Sequence, residues 1–216
     1  MSFYRGYGRP QTPPVTRNVI ILNIIMMGLT WITGDWMFQR CSLFYFTSPF
    51  FRPYQFISYI FMHGGFLHLF FNMYTLYFFG SQLESIWGSK KFFLYYMICG
   101  IGAGLCNETV FAVQISSNPG FESIIGQIPT VGASGAIYGL LLAYGMLFPD
   151  RVIQLIFPPI ALKAKWFVVI FGILELTFGL TSGITGSNVA HFAHLGGMLF
   201  GLVIILIWKR NGRLYN

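Results

Sequence analysis

The chain has 216 residues, of which 55% are hydrophobic and only 9% charged, with a formal net charge of +7 and a mean hydropathy of +0.65. That balance excludes an ordinary soluble domain and points to a polytopic membrane protein. The positive charge needs no nucleic-acid partner, because topology and anionic lipid headgroups account for it.

Residues 1–17, with three Arg and three Pro, read as a short cytoplasmic tail. Six apolar stretches follow: Val19 to Thr33, Phe56 to Gly80, Phe92 to Val113, Ser134 to Phe148, Trp166 to Ser182 and Val189 to Trp208. Most approach the ~20 residues a spanning helix needs. Backbone amides cannot stay unpaired in lipid, so these runs should be helices. The expected fold is an all-α membrane protein, a six-transmembrane-helix bundle over 18–209, ending in a short cytoplasmic tail at 210–216. The first span follows a polar, Pro-containing segment and lacks a cleavage pattern behind it, so it is expected to be retained. With the amino terminus cytoplasmic, every one of the 13 Lys and Arg residues except Arg40 and Arg52 falls on the cytoplasmic side.

Gly34 to Gln55, rich in aromatic residues and carrying Pro49 and Pro53, is expected as an external loop resting in the headgroup region. After the second span, Glu84 stands four residues before Gly88 and is placed to brace two helix ends. Cys99 and Cys106 lie seven apart on one helix face and read as packing residues, and Cys41 falls in the external loop. The cysteines show no metal-ligand spacing, and neither metal nor cofactor is expected. A second external stretch, Gln114 to Val131, carries turn signals at Asn118-Pro119-Gly120 and Pro129.

That stretch leads into Gly132-Ala133-Ser134-Gly135, where the fourth span begins. Tyr138 shares the face of Ser134 at i+4. In the sixth span, at ~1.5 Å per residue, His194 lies about 7 to 8 Å below the external end, level with the serine. Gly135 and Gly139 on one helix, and Gly197 and Gly201 on the other, are small-xxx-small pairs that let two backbones approach. Proton transfer from a hydroxyl to an imidazole needs that closeness. In the second span His68 and Asn72, at i and i+4, point an imidazole N–H and an amide NH₂ the same way, as donors for an oxyanion. The backbone N–H of Ser134 adds a third donor. His63, nearer the external end, reads as a brace for the first external loop.

These residues closely resemble the rhomboid family of intramembrane serine proteases over nearly the whole chain. The matching elements are His63, His68 and Asn72, then Glu84 and Gly88, Gly132-x-Ser134-Gly135, and Ala193-His194-x-x-Gly197, in the order of the minimal six-helix bacterial form. The resemblance implies a Ser134–His194 dyad, Tyr138 packed under the imidazole, and an oxyanion site of His68, Asn72 and the Ser134 amide. It also implies a lateral gate made by the fifth helix and the following loop, with Gly34 to Gln55 embedded in the membrane. One departure stands out: many members carry a Trp-Arg pair shortly before the second span, and this chain has Tyr54-Gln55. The loop bracing of relatives is therefore not supported by motif.

Each residue has a plainer competing role: helix stitching for His68 and Asn72, core packing for Tyr138, an external-end polar residue for His191. Glu175 is the one acid well inside a span, about 10 Å below the outer end of the fifth helix and near the depth of His194. The preferred reading is a protonated carboxyl bonded to backbone or a nearby hydroxyl, or a gating role; a third triad member is the rival. The expected function is cleavage of transmembrane protein substrates near the extracytoplasmic face, by a monomer or weak homo-oligomer in a bacterial plasma membrane. A catalytically inactive helix-binding relative and a His-lined transporter are the alternatives.

Overall fold

The computed structural model describes residues 12–155, 159–181 and 190–214. Helix α1 (Pro14–Thr33) opens on a proline, whose fixed φ suits a first turn and whose missing N–H would have found no partner there. It thus begins inside the stretch expected as tail. Its open amides are met by a side chain far along the chain. Glu84 accepts from the N–H of Val15 (2.9 Å) and Thr16 (2.7 Å) and from the Thr16 hydroxyl (2.8 Å). A carboxylate there satisfies orphan donors and complements the helix dipole. The same carboxylate accepts from the hydroxyl of Ser89 at 2.7 Å.

The segment 34–55 is more ordered than a plain loop. It contains α2 (Asp35–Cys41) and is then gathered by Gln55, the buried first residue of α3 (Gln55–Ser58). Oε1 accepts from the N–H of Arg52 (3.1 Å) and Phe44 (3.4 Å), and Nε2 donates to the carbonyls of Phe50 (3.0 Å) and Arg40 (3.2 Å). One amide serves four backbone groups that no ladder would otherwise pair. Gln55 therefore supplies the bracing that the missing Trp-Arg motif had put aside.

The second apolar stretch is corrected from one helix to two. Helical chain ends at Phe61, breaks over 62–65 and restarts as α4 (Phe66–Thr75), with 93° between the parts. Gly64 and Gly65, adjacent and without side chains to pack, favour the break over a helix interior. A π-helical turn, Leu76–Gly80, carries α4 into α5 (Ser81–Trp87). Gly88 then turns the chain at φ +74, a conformation that favours glycine, and its N–H donates to the Glu84 carbonyl at 2.8 Å. Helix α6 (Ser89–Ser117) follows, so Glu84 ties the starts of α1 and α6 together.

A short α7 (Glu122–Ile125) lies in the next connection, and α8 (Ser134–Leu147) comes after it. Beyond α8, Val152–Gln154 pairs antiparallel with Ala161–Lys163, two short strands that the all-helical expectation did not include. Asp150 holds this hairpin to Lys163 (3.2 Å) and Lys165 (2.9 Å). Helices α9 (Ala164–Thr181) and α10 (His191–Arg210) complete the chain. Among the described residues α1, α6, α9 and α10 are long and apolar enough to cross a membrane, and the bent pair ending at Trp87 makes a fifth. The sixth apolar segment is α8. With 14 residues at ~1.5 Å each, it reaches about 21 Å, short of the ~30 Å hydrocarbon core. At its start Thr130 and Ala133 are buried, and the Gly132 N–H donates to the Tyr59 carbonyl at 3.0 Å.

The centre of the bundle is α6, α8 and α10. A Cβ at Gly139 would stand 2.5 Å from Cys99 Sγ and 3.0 Å from the Gly197 carbonyl, while one at Gly135 would strike Ala103. A Cβ at Gly197 would overlap the Gly135 carbonyl, and one at Gly201 would meet the Tyr95 hydroxyl. The small-residue pairs thus act as the spacing suggested, with α6 as a third partner. Cys99 packs in this seam, as expected.

Candidate active site

Ser134 is the first residue of α8, so its backbone N–H is among the helix's unpaired donors. His194 lies one turn into α10 and is buried. The glycine seam between the helices brings Ser134 Oγ to 2.7 Å from His194 Nε2. Tyr138, one turn after the serine, lies flat against the imidazole, with ring centroids 4.3 Å apart and planes 6° from parallel. The ring can hardly tilt without losing that stack.

The other imidazole nitrogen faces α9. Glu175 Oε2 is 2.9 Å from His194 Nδ1 and 2.7 Å from His191 Nδ1, and Glu175 Oε1 accepts from the Tyr138 hydroxyl. Of the two imidazoles, His191 has the well-aligned bond, because Oε2 lies off the direction of an N–H on His194 Nδ1. The expectation for Glu175 is corrected in part: it does bond a nearby hydroxyl, but it also meets both imidazoles of α10. His191, expected as an external-end polar residue, belongs to the same cluster. Atoms bound to one tetrahedral zinc at ~2.0–2.1 Å stand roughly 3.3 Å apart. The separations of 2.7 and 2.9 Å are shorter, at hydrogen-bond distances, and a metal there would require the three groups to move apart.

On the opposite side of Ser134 lies His68, on α4. The Gly64 N–H makes a long contact with His68 Nδ1 (3.4 Å), which assigns the ring proton to Nε2. That edge abuts Gly132: a Cβ there would sit 2.9 Å from His68 Nε2 and Cε1 and 3.6 Å from Ser134 Oγ. Gly132 also holds φ +122, so glycine is required on two counts. Asn72 is also buried, but its amide differs from expectation, since Nδ2 donates to the His68 carbonyl at 2.9 Å. This is local back-bonding along one turn, and it leaves one of the two amide hydrogens free for another acceptor. His63 is corrected as well. The break at 62–65 turns it inward, where it is buried and packs edge-on against His68 at 4.9 Å, rather than bracing the first loop.

Two supporting groups were not singled out from sequence. Gln55 is one; the other is Glu108, a buried carboxylate on α6 that accepts from the Phe46 N–H at 3.2 Å. Glu108 lies within the third apolar stretch, so Glu175 is not the one acid inside a span as the sequence suggested; an acid inside an apolar helix was the available signal for both. The connection between α9 and α10, which the resemblance makes part of a gate, lies outside the described residues over 182–189.

Chemically, the cluster offers a hydroxyl in contact with a proton acceptor, a fixed ring, and N–H groups converging from α4 and the start of α8. A family model described as Rhomboid domain matches residues 51–211. The chain is similar to rhomboid protease GlpG of Yersinia pestis (strain Pestoides F), 28% identical over 204 residues, covering 94% of this chain and 66% of that protein. The corresponding protein of Yersinia pseudotuberculosis serotype I (strain IP32953) is 26% identical over the same shares. That of Serratia proteamaculans (strain 568) is 26% identical over 224 residues, 99% of this chain and 70% of the relative. The chain thus spans just under two thirds of the length of the Yersinia proteins. Because the matched stretch runs from before the α3–α4 break to the end of α10 and takes in both Ser134 and His194, the chain belongs to the rhomboid family.

Proposed function

We propose that the chain is an intramembrane serine endopeptidase that cuts transmembrane segments of other proteins near the extracytoplasmic face. The observation that carries this reading is the 2.7 Å contact between Ser134 Oγ and His194 Nε2 inside a bundle of apolar helices. A hydroxyl and an imidazole are costly to bury unless paired, and this pairing is the one nucleophilic attack needs.

In the reaction His194 Nε2 takes the Ser134 proton as Oγ bonds to a substrate carbonyl carbon. The oxyanion is held by the His68 Nε2–H, the free Asn72 amide hydrogen and the Ser134 backbone N–H. His194 then returns its proton to the departing amine as the C–N bond breaks, and water hydrolyses the ester by the same steps in reverse order. A helical substrate hides its carbonyls in its own hydrogen bonds, so segments with small or helix-breaking residues near the cut are favoured.

The distribution of Lys and Arg supports cytoplasmic termini, and the bacterial relatives support a bacterial plasma membrane. Purified protein in detergent should cleave a single-span reporter and label with a fluorophosphonate at Ser134 alone. Both should be lost in Ser134→Ala and His194→Ala. Turnover surviving Ser134→Ala would refute the assignment. Absence of turnover in the wild type would favour a helix-binding protein without activity, or a transporter.

A further inference from the structure

Glu175 is the single acid on α9, a helix whose Ile170, Ile173, Leu174, Leu176 and Phe178 are exposed on its outer surface. An ionisable group in such a setting is kept only where it does something for its neighbours. The carboxylate of Glu175 gathers three side chains from two other helices: Tyr138 on α8, and His191 and His194 on α10. Two of these, Tyr138 and His194, are the stacked pair at the serine. We propose that Glu175 is a positioning residue, which sets the tautomer and orientation of His194 and so makes the docking of α9 a condition for an active serine. This rests on the reading of Ser134 and His194 as nucleophile and base.

For Nε2 to receive the Ser134 proton, the ring's other proton must reside on Nδ1, and a carboxylate 2.9 Å away favours that tautomer. The oxygen is off the ideal line because His191 draws it by the stronger contact at 2.7 Å. Hydrogen bonds of this kind are often poorly aligned in the absence of substrate and tighten when it is bound. The Tyr138 bond to Oε1 fixes the far side of the carboxylate, so movement of α9 is felt by both rings. A displacement of α9 by about 1 Å or more carries Oε2 out of hydrogen-bond reach of Nδ1. A helix that swings out to admit a substrate must therefore return before the serine is fully activated.

Glu175→Gln, the isosteric change, tests this in detergent-purified full chain with a single-span reporter and a small fluorophosphonate. The expected result is a fall of tenfold or more in kcat, KM within twofold, and fluorophosphonate labelling slowed by a similar factor, because labelling needs the activated serine but not the passage of a helix. In Glu175→Ala, added formate should restore part of the labelling rate. A kcat within twofold of wild type overturns the proposal, as does a change confined to KM, which would mark a gating or packing role. If Glu175→Gln does not fold, the wild-type imidazole resonances decide, assigned by their loss in His194→Ala: a His194 proton on Nε2 rather than Nδ1 overturns the proposal. Should Ser134→Ala retain turnover, the dyad itself fails, an outcome distinct from any result at Glu175.

Discussion

Replacing Gly132 by alanine probes the link between backbone geometry and the oxyanion donors. Two penalties arise at once. The residue holds φ +122, where an L side chain is strained, a cost of about 1–3 kcal/mol. The added Cβ would also lie 2.9 Å from His68 Nε2 and Cε1, so the imidazole must retreat by about half an ångström to reach ordinary contact. His68 cannot simply rotate away, because His63 is packed edge-on behind it at 4.9 Å. Its N–H then no longer points where the oxyanion forms. Removing one such donor costs roughly 10²–10³ in kcat, and a displaced donor should cost the lower part of that range, about a hundredfold. The assay is steady-state cleavage of a single-span reporter alongside the thermal midpoint in detergent. The expected result is kcat down about a hundredfold, KM little changed, and a lowered midpoint. A folded Gly132→Ala variant with kcat within threefold of wild type would refute the role given to His68 and to this turn.

Glu84→Gln should lower stability by about 1–3 kcal/mol through weakened bonds to Val15, Thr16 and Ser89, without changing kcat of the folded fraction; detergent thermal melts measure it. Gln55→Ala orphans four backbone groups, and should expose 42–55 to limited proteolysis at a protease level the wild type resists. Tyr138→Phe keeps the ring stack and loses only the hydroxyl to Glu175, so kcat should fall less than in Tyr138→Ala, which loses both. Lys165 and Lys163 hold the Asp150 carboxyl below its ordinary value of 3.8. Its contribution to the hairpin is therefore present above that value and lost as the pH falls through the lower folded value. Backbone protection factors at 152–154 and 161–163, with the intrinsic pH dependence of exchange divided out, should fall on acidification in the wild type and change much less in Asp150→Asn.

The helices and the Ser134–His194 pairing were legible because both follow from local rules: apolar runs too long for anything but helix, and a rise per residue that sets depth. Glu175 was placed at the depth of His194 by the same arithmetic, yet depth alone does not say which face of α9 meets α10. The break at 62–65 was missed because the flanking Phe and Leu residues keep the mean hydropathy high and hydropathy does not register a bend, although the adjacent Gly64 and Gly65 were the available signal. Asn72 differed from expectation because an i+4 spacing permits bonding to the backbone of its own helix as readily as pointing outward. Gln55 was undervalued because a motif was sought where a single amide performs the same service for the backbone.

The seam joining α6, α8 and α10 has no room for even one further methyl group at Gly135, Gly139 or Gly197. Three rods meshed that tightly cannot slide past one another in small steps, since each step would drive the main chains of α8 and α10 together or press them into Ala103 and Cys99 of α6. They behave as a single anvil, and compliance is left to the elements around its rim. Mutational tolerance should divide along the same boundary, permissive on the lipid-facing perimeter and nearly absent along the three inner contact lines.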